Sequence, residues 1–321
     1  MMDSFISWIG GKRQMREIIL ERFPVWYERY VEVFGGAAWI LFAKPPEPFE
    51  VYNDINGNLT NLFHVVKEQP LAFLKELGFL PLNGRQEFEL LLAMCRGGDF
   101  SVPYMEEELA LAERELAPLA YTEYCEMMEE KAALGDVRRA VNFYKLIRYS
   151  YASGTTSFNA QPVNLMQACR TVWQANRRLN ENGLKDAKAV QKAGGAVGRG
   201  VIIENKEYFK LIEQYDRKGT FLYLDPPYFG TEKHYDAKFG KEDHYRLCNT
   251  LRGIEGMFML SYNDCDFVRK LYDGFYIESF ERLNSISQRY SPGNQFKELI
   301  VTNYDPHERR KKQPKQMELT M

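Results

Sequence analysis

The chain has 321 residues, of which 45 % are hydrophobic and 27 % charged, with a formal net charge of −2. That length supports a large core and two domains, and the composition excludes a disordered or collagen-like chain. Five scattered cysteines without a C-x-x-C pair exclude a disulfide framework and suggest reduced thiols in a cytoplasmic protein, and four widely spaced histidines give no metal-ligand pattern, so no metal is expected.

The first sixty residues read as helix, strand, helix, strand. Arg13 to Phe23 has helical spacing, and Tyr30 to Phe34 is a strand. Gly35-Gly36 turns the chain tightly into a helix over Ala37 to Ala43, which Pro45, Pro46 and Pro48 stop. Phe49 to Tyr52 is the second strand. Glu32 lies in the first strand, and Asp54 follows the second, 22 residues later. An acid there suits ribose hydroxyls, and it also suits an N-cap. The G-x-G-x-x-G fingerprint is absent, so no pyrophosphate site is implied.

From Leu59 to Leu165 strand-like runs are scarce. Helical patterns occupy 59–77, 84–95, 105–133 and 136–148, and Ser150 to Asn164 is a polar loop. This block is expected to be an inserted helical domain over 59–164. Glu106 to Glu130 carries nine acids against Arg114, a face that repels phosphate. Arg138, Lys145 and Arg148 share one side of a helix, while Val137, Val141 and Tyr144 take another. Arg170, Arg177 and Arg178 form a second basic cluster, and 306–321 is a basic tail.

Alternation then resumes. A helix is expected over Asn164 to Asn180, and 194–200 is a glycine-rich connector. Strands are expected at 201–203, 220–224, 257–261, 275–280 and 297–303, with helices at 206–216, 241–252 and 264–272. Pro292-Gly293 marks a turn, making the last two strands an antiparallel hairpin. Such alternation predicts a mostly parallel sheet with helices on both faces. The run Thr220 to Leu224 ends in Asp225-Pro226-Pro227-Tyr228. The prolines stop the strand and stiffen the turn after it. An acceptor carboxylate, a Pro226 carbonyl without a neighbouring amide hydrogen and a stacking ring suit a flat base with an exocyclic amino group.

Four segments occur in order: Phe5 to Lys12 (FISWIGGK), Tyr30 to Ala38 (YVEVFGGAA), Val51 to Asn56 (VYNDIN) and Asp225 to Tyr228. Together they resemble the Dam-like family of DNA adenine-N6 methyltransferases, over Phe5 to about Asn303. The resemblance implies an α/β fold: a seven-stranded Rossmann-like methyltransferase sheet ending in an antiparallel hairpin, with an inserted helical target-recognition domain. It implies S-adenosyl-L-methionine as cofactor and site-specific methylation of adenine N6 in double-stranded DNA, with the base flipped out. Trp8, Lys12, Asp54 and Asp225 are implied to line the cofactor pocket, joined by Gly11, Glu32, Phe34, Gly35 and Gly36 from the same segments. Asp225, Pro226, Pro227 and Tyr228 are implied to act on the base. Ala37-Ala38-Trp39 departs from the family, which often has a further glycine or serine there.

The catalytic domain is expected at 1–58 and 165–305. Tyr149 to Asn159 resembles the stretch with which the family's helical domain approaches DNA. Arg138, Lys145, Arg148, Ser153, Thr155, Asn159 and Tyr235 are the candidate DNA contacts. Arg148 and the polar loop are expected on the DNA side, and the acidic run away from it. Ser261-Tyr262-Asn263-Asp264 looks like a later family segment near the target base. Two rivals stay open: the same fold acting on cytosine N4, RNA adenine or protein glutamine, and an inactive DNA-binding relative. The intact Asp-Pro-Pro-Tyr argues against the latter, and the lack of a Pro-Cys pair against cytosine C5 chemistry. A restriction endonuclease counterpart is an expected partner. No apolar run reaches membrane-spanning length, and no signal-like N-terminus is evident.

Overall fold

Strands buried on both faces read as continuous apolar runs, and Thr220–Leu224, buried at all five positions, is the clearest case. The computed structural model describes residues 2–77, 85–97, 105–150, 155, 157–159, 165–181, 200–230, 239–283 and 295–309. It divides into two compact units: Met1–Ser4, Gly10–Asn56 and Arg178–Met321 in one, Phe5–Ile9 and Gly57–Arg177 in the other.

The first unit is built on seven strands: β1 (Arg29–Glu32), β2 (Glu50–Asn53), β3 (Ile202–Glu204), β4 (Thr220–Leu224), β5 (Met257–Asn263), β6 (Tyr276–Leu283) and β7 (Gln295–Thr302). Their order is β3-β2-β1-β4-β5-β7-β6. The first five are mutually parallel, and β7 runs antiparallel to both β5 and β6. The expected terminal hairpin is present; Pro292-Gly293 lies outside the described residues. Strand β1 sits between β2 and β4, where the chain reverses its direction of travel across the sheet. In open α/β sheets that switch point is where ligands bind, at the strands' carboxyl ends.

Alternation decides the two faces of this sheet. Val31, Val51, Leu222, Leu224, Phe258 and Leu260 join a core with Leu211, Ile212, Leu247, Leu251 and Val268 from the helices. Those helices are α9 (Tyr208–Tyr215), α10 (Lys241–Arg252) and α11 (Asp266–Leu271). The intervening residues include the aromatic Tyr30, Tyr52, Phe221 and Tyr223, together with Glu32, Glu50 and Met259. Phe23, which follows α1 (Arg16–Glu21), packs on Tyr30 at 6.0 Å and edge-on to Phe221 at 4.7 Å. Helix α2 (Trp39–Ala43) is buried at every position.

The second unit is helical: α3 (Gly57–Glu68), α4 (Pro70–Leu77), α5 (Arg85–Gly97), α6 (Met105–Glu115), α7 (Pro118–Arg148), and α8 (Leu165–Asn180) as far as Arg177. Its core joins Leu59, Leu62, Phe63 and Val66 with Val137, Ala140, Val141 and Tyr144, all at most 2 % exposed. Each large aliphatic chain buried this way contributes about 2 kcal/mol. Two helix breaks differ from expectation, and both precede a proline. The run 59–77 splits before Pro70. The 105–148 region breaks before Pro118, where Ala117 is extended with ψ 152°. The expected break near residue 134 is absent. Gly135 costs about 1 kcal/mol inside α7, which the packing of the helix's last turns offsets. Residues Leu165–Arg177 of α8 cluster with the helical unit, and Arg178–Asn180 with the sheet unit.

Candidate active site

Asp225 leaves β4 at the switch point, and Lys12 meets it. The lysine ammonium lies 2.7 Å from Asp225 Oδ1 and donates to Oδ2 at 2.8 Å and to the Gly10 carbonyl at 3.0 Å. Two of its three donors are thus hydrogen-bonded, with the side chain only 4 % exposed. Gly10 has φ 76°, which lets the loop turn back onto the lysine. The ammonium also stands 4.8 Å from the centre of the Tyr228 ring. Residues 213 positions apart thereby form one charged pair beneath the Asp-Pro-Pro-Tyr turn.

Behind Tyr228 is a scaffold that periodicity alone did not reveal. Tyr228 stacks on Tyr262 with centroids 5.8 Å apart and a 25° interplanar angle. The Tyr262 hydroxyl is hydrogen-bonded to Nδ1 of fully buried His244 on α10. Asn263 donates to the Phe229 carbonyl at 3.1 Å, holding the segment after Tyr228 against β5. Ser261 meets the Tyr223 hydroxyl at 3.0 Å, and Asp264 is bonded to Arg269 and Ser279. The signal for His244 was its place on the buried stripe His244, Leu247, Cys248 and Leu251 of α10, a pattern that reads first as core.

The loop after β1 explains its two glycines. A Cβ on Gly35 would come within 2.2 Å of the Tyr52 ring, and Gly36 has φ 49°. Asp54 Oδ2 accepts the Gly36 amide at 2.8 Å, Oδ1 accepts the Asn56 amide at 2.8 Å, and the Tyr52 hydroxyl donates to the Gly36 carbonyl at 2.8 Å. Asp54 therefore forms an Asx-type turn over Asp54–Asn56, immediately before α3, and links the carboxyl ends of β1 and β2. Burial raises its pKa, against the lowering effect of the Asn56 and Gly36 hydrogen bonds. Each carboxylate oxygen keeps a second lone pair for an incoming hydroxyl. Carboxylates and backbone groups, with no cluster of cations for a phosphate among the described residues, suit a nucleoside-like group. Phe34 packs on Tyr208 and Phe239 at 5.6 and 6.0 Å.

Glu32, expected to line the pocket, is 2 % exposed, and its Oε2 accepts the Tyr30 hydroxyl at 2.7 Å and the Leu41 amide at 2.9 Å. It fastens the first turn of α2 to β1. Burial pushes its pKa up to about 8, opposed by those two hydrogen bonds and reinforced by the charge of Asp225. The stabilisation linked to this proton is fully present below the ordinary 4.5 and is lost as pH rises through about 8. Glu32→Gln keeps an acceptor oxygen without the charge. Its stability relative to wild type should therefore grow with pH, by about 1 kcal/mol or more above pH 8, in denaturant melts from about pH 5 to 9.

The other predicted residues are spread over both units. Gly11 is exposed beside Lys12. Trp8 belongs to the helical unit, where its ring packs on Phe143 at 5.7 Å. Val137, Val141 and Tyr144 form the buried side of α7, as the spacing predicts. Arg138 is exposed but donates to Glu76 at 3.2 Å, and Lys145 and Arg148 are half-buried in the helix's last turn. Thr155 is buried with φ 50°, its amide on Ser150 Oγ at 3.1 Å. Asn159 donates its amide to the Tyr149 carbonyl at 2.6 Å beside an antiparallel Ser150–Phe158 bridge. Ser153 and Tyr235 lie outside the described residues. Arg178 leaves the predicted basic cluster: it is buried and bonded to Glu50. All five cysteines are unpaired. Among the described residues no group of three or more His, Cys, Asp or Glu forms a metal site, and no helix is long and apolar enough to cross a membrane.

Residues 8–286 match the model of the D12 class N6 adenine-specific DNA methyltransferase family. The type II methyltransferase M.MjaIII of Methanocaldococcus jannaschii is 26 % identical over 94 % of this chain and 98 % of its own. The DNA adenine methylase of Haemophilus influenzae is 22 % identical over 92 % of each chain. The type II methyltransferase M.CviBI of Paramecium bursaria Chlorella virus NC1A is 32 % identical over a shorter stretch, 32 % of this chain and 41 % of that protein. The family model covers most of the chain and decides between the open acceptors, since its members methylate the N6 amino group of adenine in DNA. The chain belongs to the D12 class N6 adenine-specific DNA methyltransferase family.

Proposed function

We propose that the protein methylates adenine N6 at a specific sequence in duplex DNA, that S-adenosyl-L-methionine is its methyl donor, and that Asp225 and Pro226 hold the target amino group. The observation carrying this is the Lys12-paired Asp225 carboxylate at the end of β4, at the switch point of the sheet. S-adenosyl-L-methionine supplies an electrophilic methyl group on a sulfonium. The residues that fit it are Asp54, for ribose hydroxyls, and the Phe34-Gly35-Gly36 turn, with Trp8 and Gly11 added by family resemblance.

The chain's own task is to orient a weak nucleophile. The N6 lone pair of adenine is delocalised into the ring. A carboxylate offers about four lone-pair sites, and Lys12 takes one of those on Asp225 by its hydrogen bond to Oδ2. The remainder, with the Pro226 carbonyl, accept the two amino hydrogens and draw the nitrogen toward tetrahedral geometry. The same acceptors stabilise positive charge developing on nitrogen. Tyr228, backed by Tyr262, supplies the aromatic surface for the base. The target must be flipped from the stack, which costs a few kcal/mol. Lys145, Arg148 and the Tyr149–Asn159 segment are proposed to contact the DNA. The relatives named as type II methyltransferases favour a restriction endonuclease counterpart, and the unpaired cysteines favour a reducing, cytoplasmic setting.

Incubation of duplex DNA with radiolabelled donor, then nucleoside analysis, should yield N6-methyladenine. Label in N4-methylcytosine, RNA or protein would overturn the reading. Separately, Asp54→Ala should weaken donor binding by about 2–3 kcal/mol while leaving affinity for duplex DNA within a few-fold. Calorimetry showing unchanged donor affinity would refute the placement of Asp54.

A further inference from the structure

Helix α8 carries two complete stripes at i, i+4, i+7 and i+11. Ala168, Val172, Ala175 and Leu179 are at most 2 % exposed and form its core face. Asn176 fixes the helix's seat in its unit by donating to the Val66 and Lys67 carbonyls at 3.0 and 2.8 Å. The second stripe, offset by two residues, is Met166, Arg170, Trp173 and Arg177. It faces solvent, with Met166 70 % and Trp173 46 % exposed and both arginines exposed. The core face is already filled, so burial does not account for an indole and a thioether on the outside.

Helix α8 contains no acidic residue. Among the described residues neither Arg170 nor Arg177 is ion-paired. Arg114 and Arg138, exposed on other helices of the same unit, are ion-paired with Glu115 and Glu76 at 2.8 and 3.2 Å. Arg85 and Arg96 on α5 are likewise exposed and, among the described residues, without an ion pair; what sets this stripe apart is two such arginines flanking an exposed indole. Two unneutralised guanidiniums seven residues apart stand about 10 Å apart along the axis, within reach of successive phosphates of one strand. An indole between them provides a flat apolar surface for deoxyribose.

We propose that the Met166–Arg170–Trp173–Arg177 face of α8 binds the phosphodiester backbone of the substrate duplex, independently of sequence. This rests on DNA being the substrate and adds a surface outside the residues assigned to the reaction. It predicts a positioning contribution that changes affinity and salt dependence on any duplex.

The test is binding of a labelled random-sequence duplex across a salt series. Arg170→Gln with Arg177→Gln should weaken binding about tenfold at low salt and reduce the log–log salt slope by roughly 1–2, while Arg170→Lys with Arg177→Lys should keep the slope. Trp173→Phe should abolish a DNA-induced change in tryptophan fluorescence. Donor binding by calorimetry and thermal melting check that each variant is folded. Unchanged affinity and slope in the glutamine variant would overturn the proposal. So would a change confined to sedimentation behaviour, which would make the stripe a protein interface. Failure of the chemistry assigned to Asp225 would appear in methyl transfer and not in this salt series.

Discussion

Asp225→Asn is expected to lower single-turnover methyl transfer at least about 100-fold, the loss of roughly 3 kcal/mol of transition-state stabilisation in a water-poor site. Asparagine keeps the shape and one acceptor oxygen for Lys12. It loses the negative charge and places an amide nitrogen, a donor, against the target's amino hydrogens. Asp225→Ala is the less informative change. It would leave the 4 %-exposed Lys12 ammonium without its partner at 2.7 Å, mixing a stability loss into the kinetics. Pairing it with Lys12→Met separates the two effects. Circular dichroism and thermal melting report the fold, and radiolabelled methyl transfer reports the chemistry. A folded Asp225→Asn variant working within a few-fold of wild type would show that the carboxylate is not the acceptor of the amino group.

Glu50→Ala should be the most destabilising single change in the sheet unit, by about 3–5 kcal/mol. Glu50 is 1 % exposed on β2 and joins two buried cations. Lys44 donates to Oε1 at 2.5 Å, and Arg178 forks onto both oxygens at 2.7 and 2.8 Å while donating to the Leu41 carbonyl at 2.9 Å. Burial lowers the Lys44 pKa, and Glu50 opposes that shift. Removing the one anion leaves two positive charges in a low-dielectric site. At about 2–4 °C per kcal/mol for a unit of this size, Tm should fall by roughly 10 °C. Replacing all three residues with apolar ones of similar volume should recover much of the loss, because the desolvation penalty goes with the charges. A drop below about 1 kcal/mol for Glu50→Ala would mean that water reaches the cluster.

Local signals were legible because they act over a few residues. Burial and alternation marked all seven strands, and Gly35-Gly36 and Pro226-Pro227 marked the turns where backbone geometry is restricted. Where helical pattern met proline, the pattern alone misplaced the breaks: Pro70 and Pro118 start helices, whereas Gly135 is carried through one. The acid ending β4 was legible as an acceptor, since a strand running into two prolines has few alternatives.

The sequence by itself determined the fold class, the strand that presents Asp225, the glycine turn beside Asp54 and the family. Only the tertiary structure decided the partners: Lys12 on Asp225, His244 on Tyr262 behind Tyr228, Glu32 on Leu41, and Arg178 on Glu50 rather than beside Arg170 and Arg177. These ionic and hydrogen-bonded pairs form across 9 to 213 residues, where spacing carries no information. Burial chooses among equally charged side chains: it buries Arg178 against an acid and leaves its neighbour Arg177 in solvent.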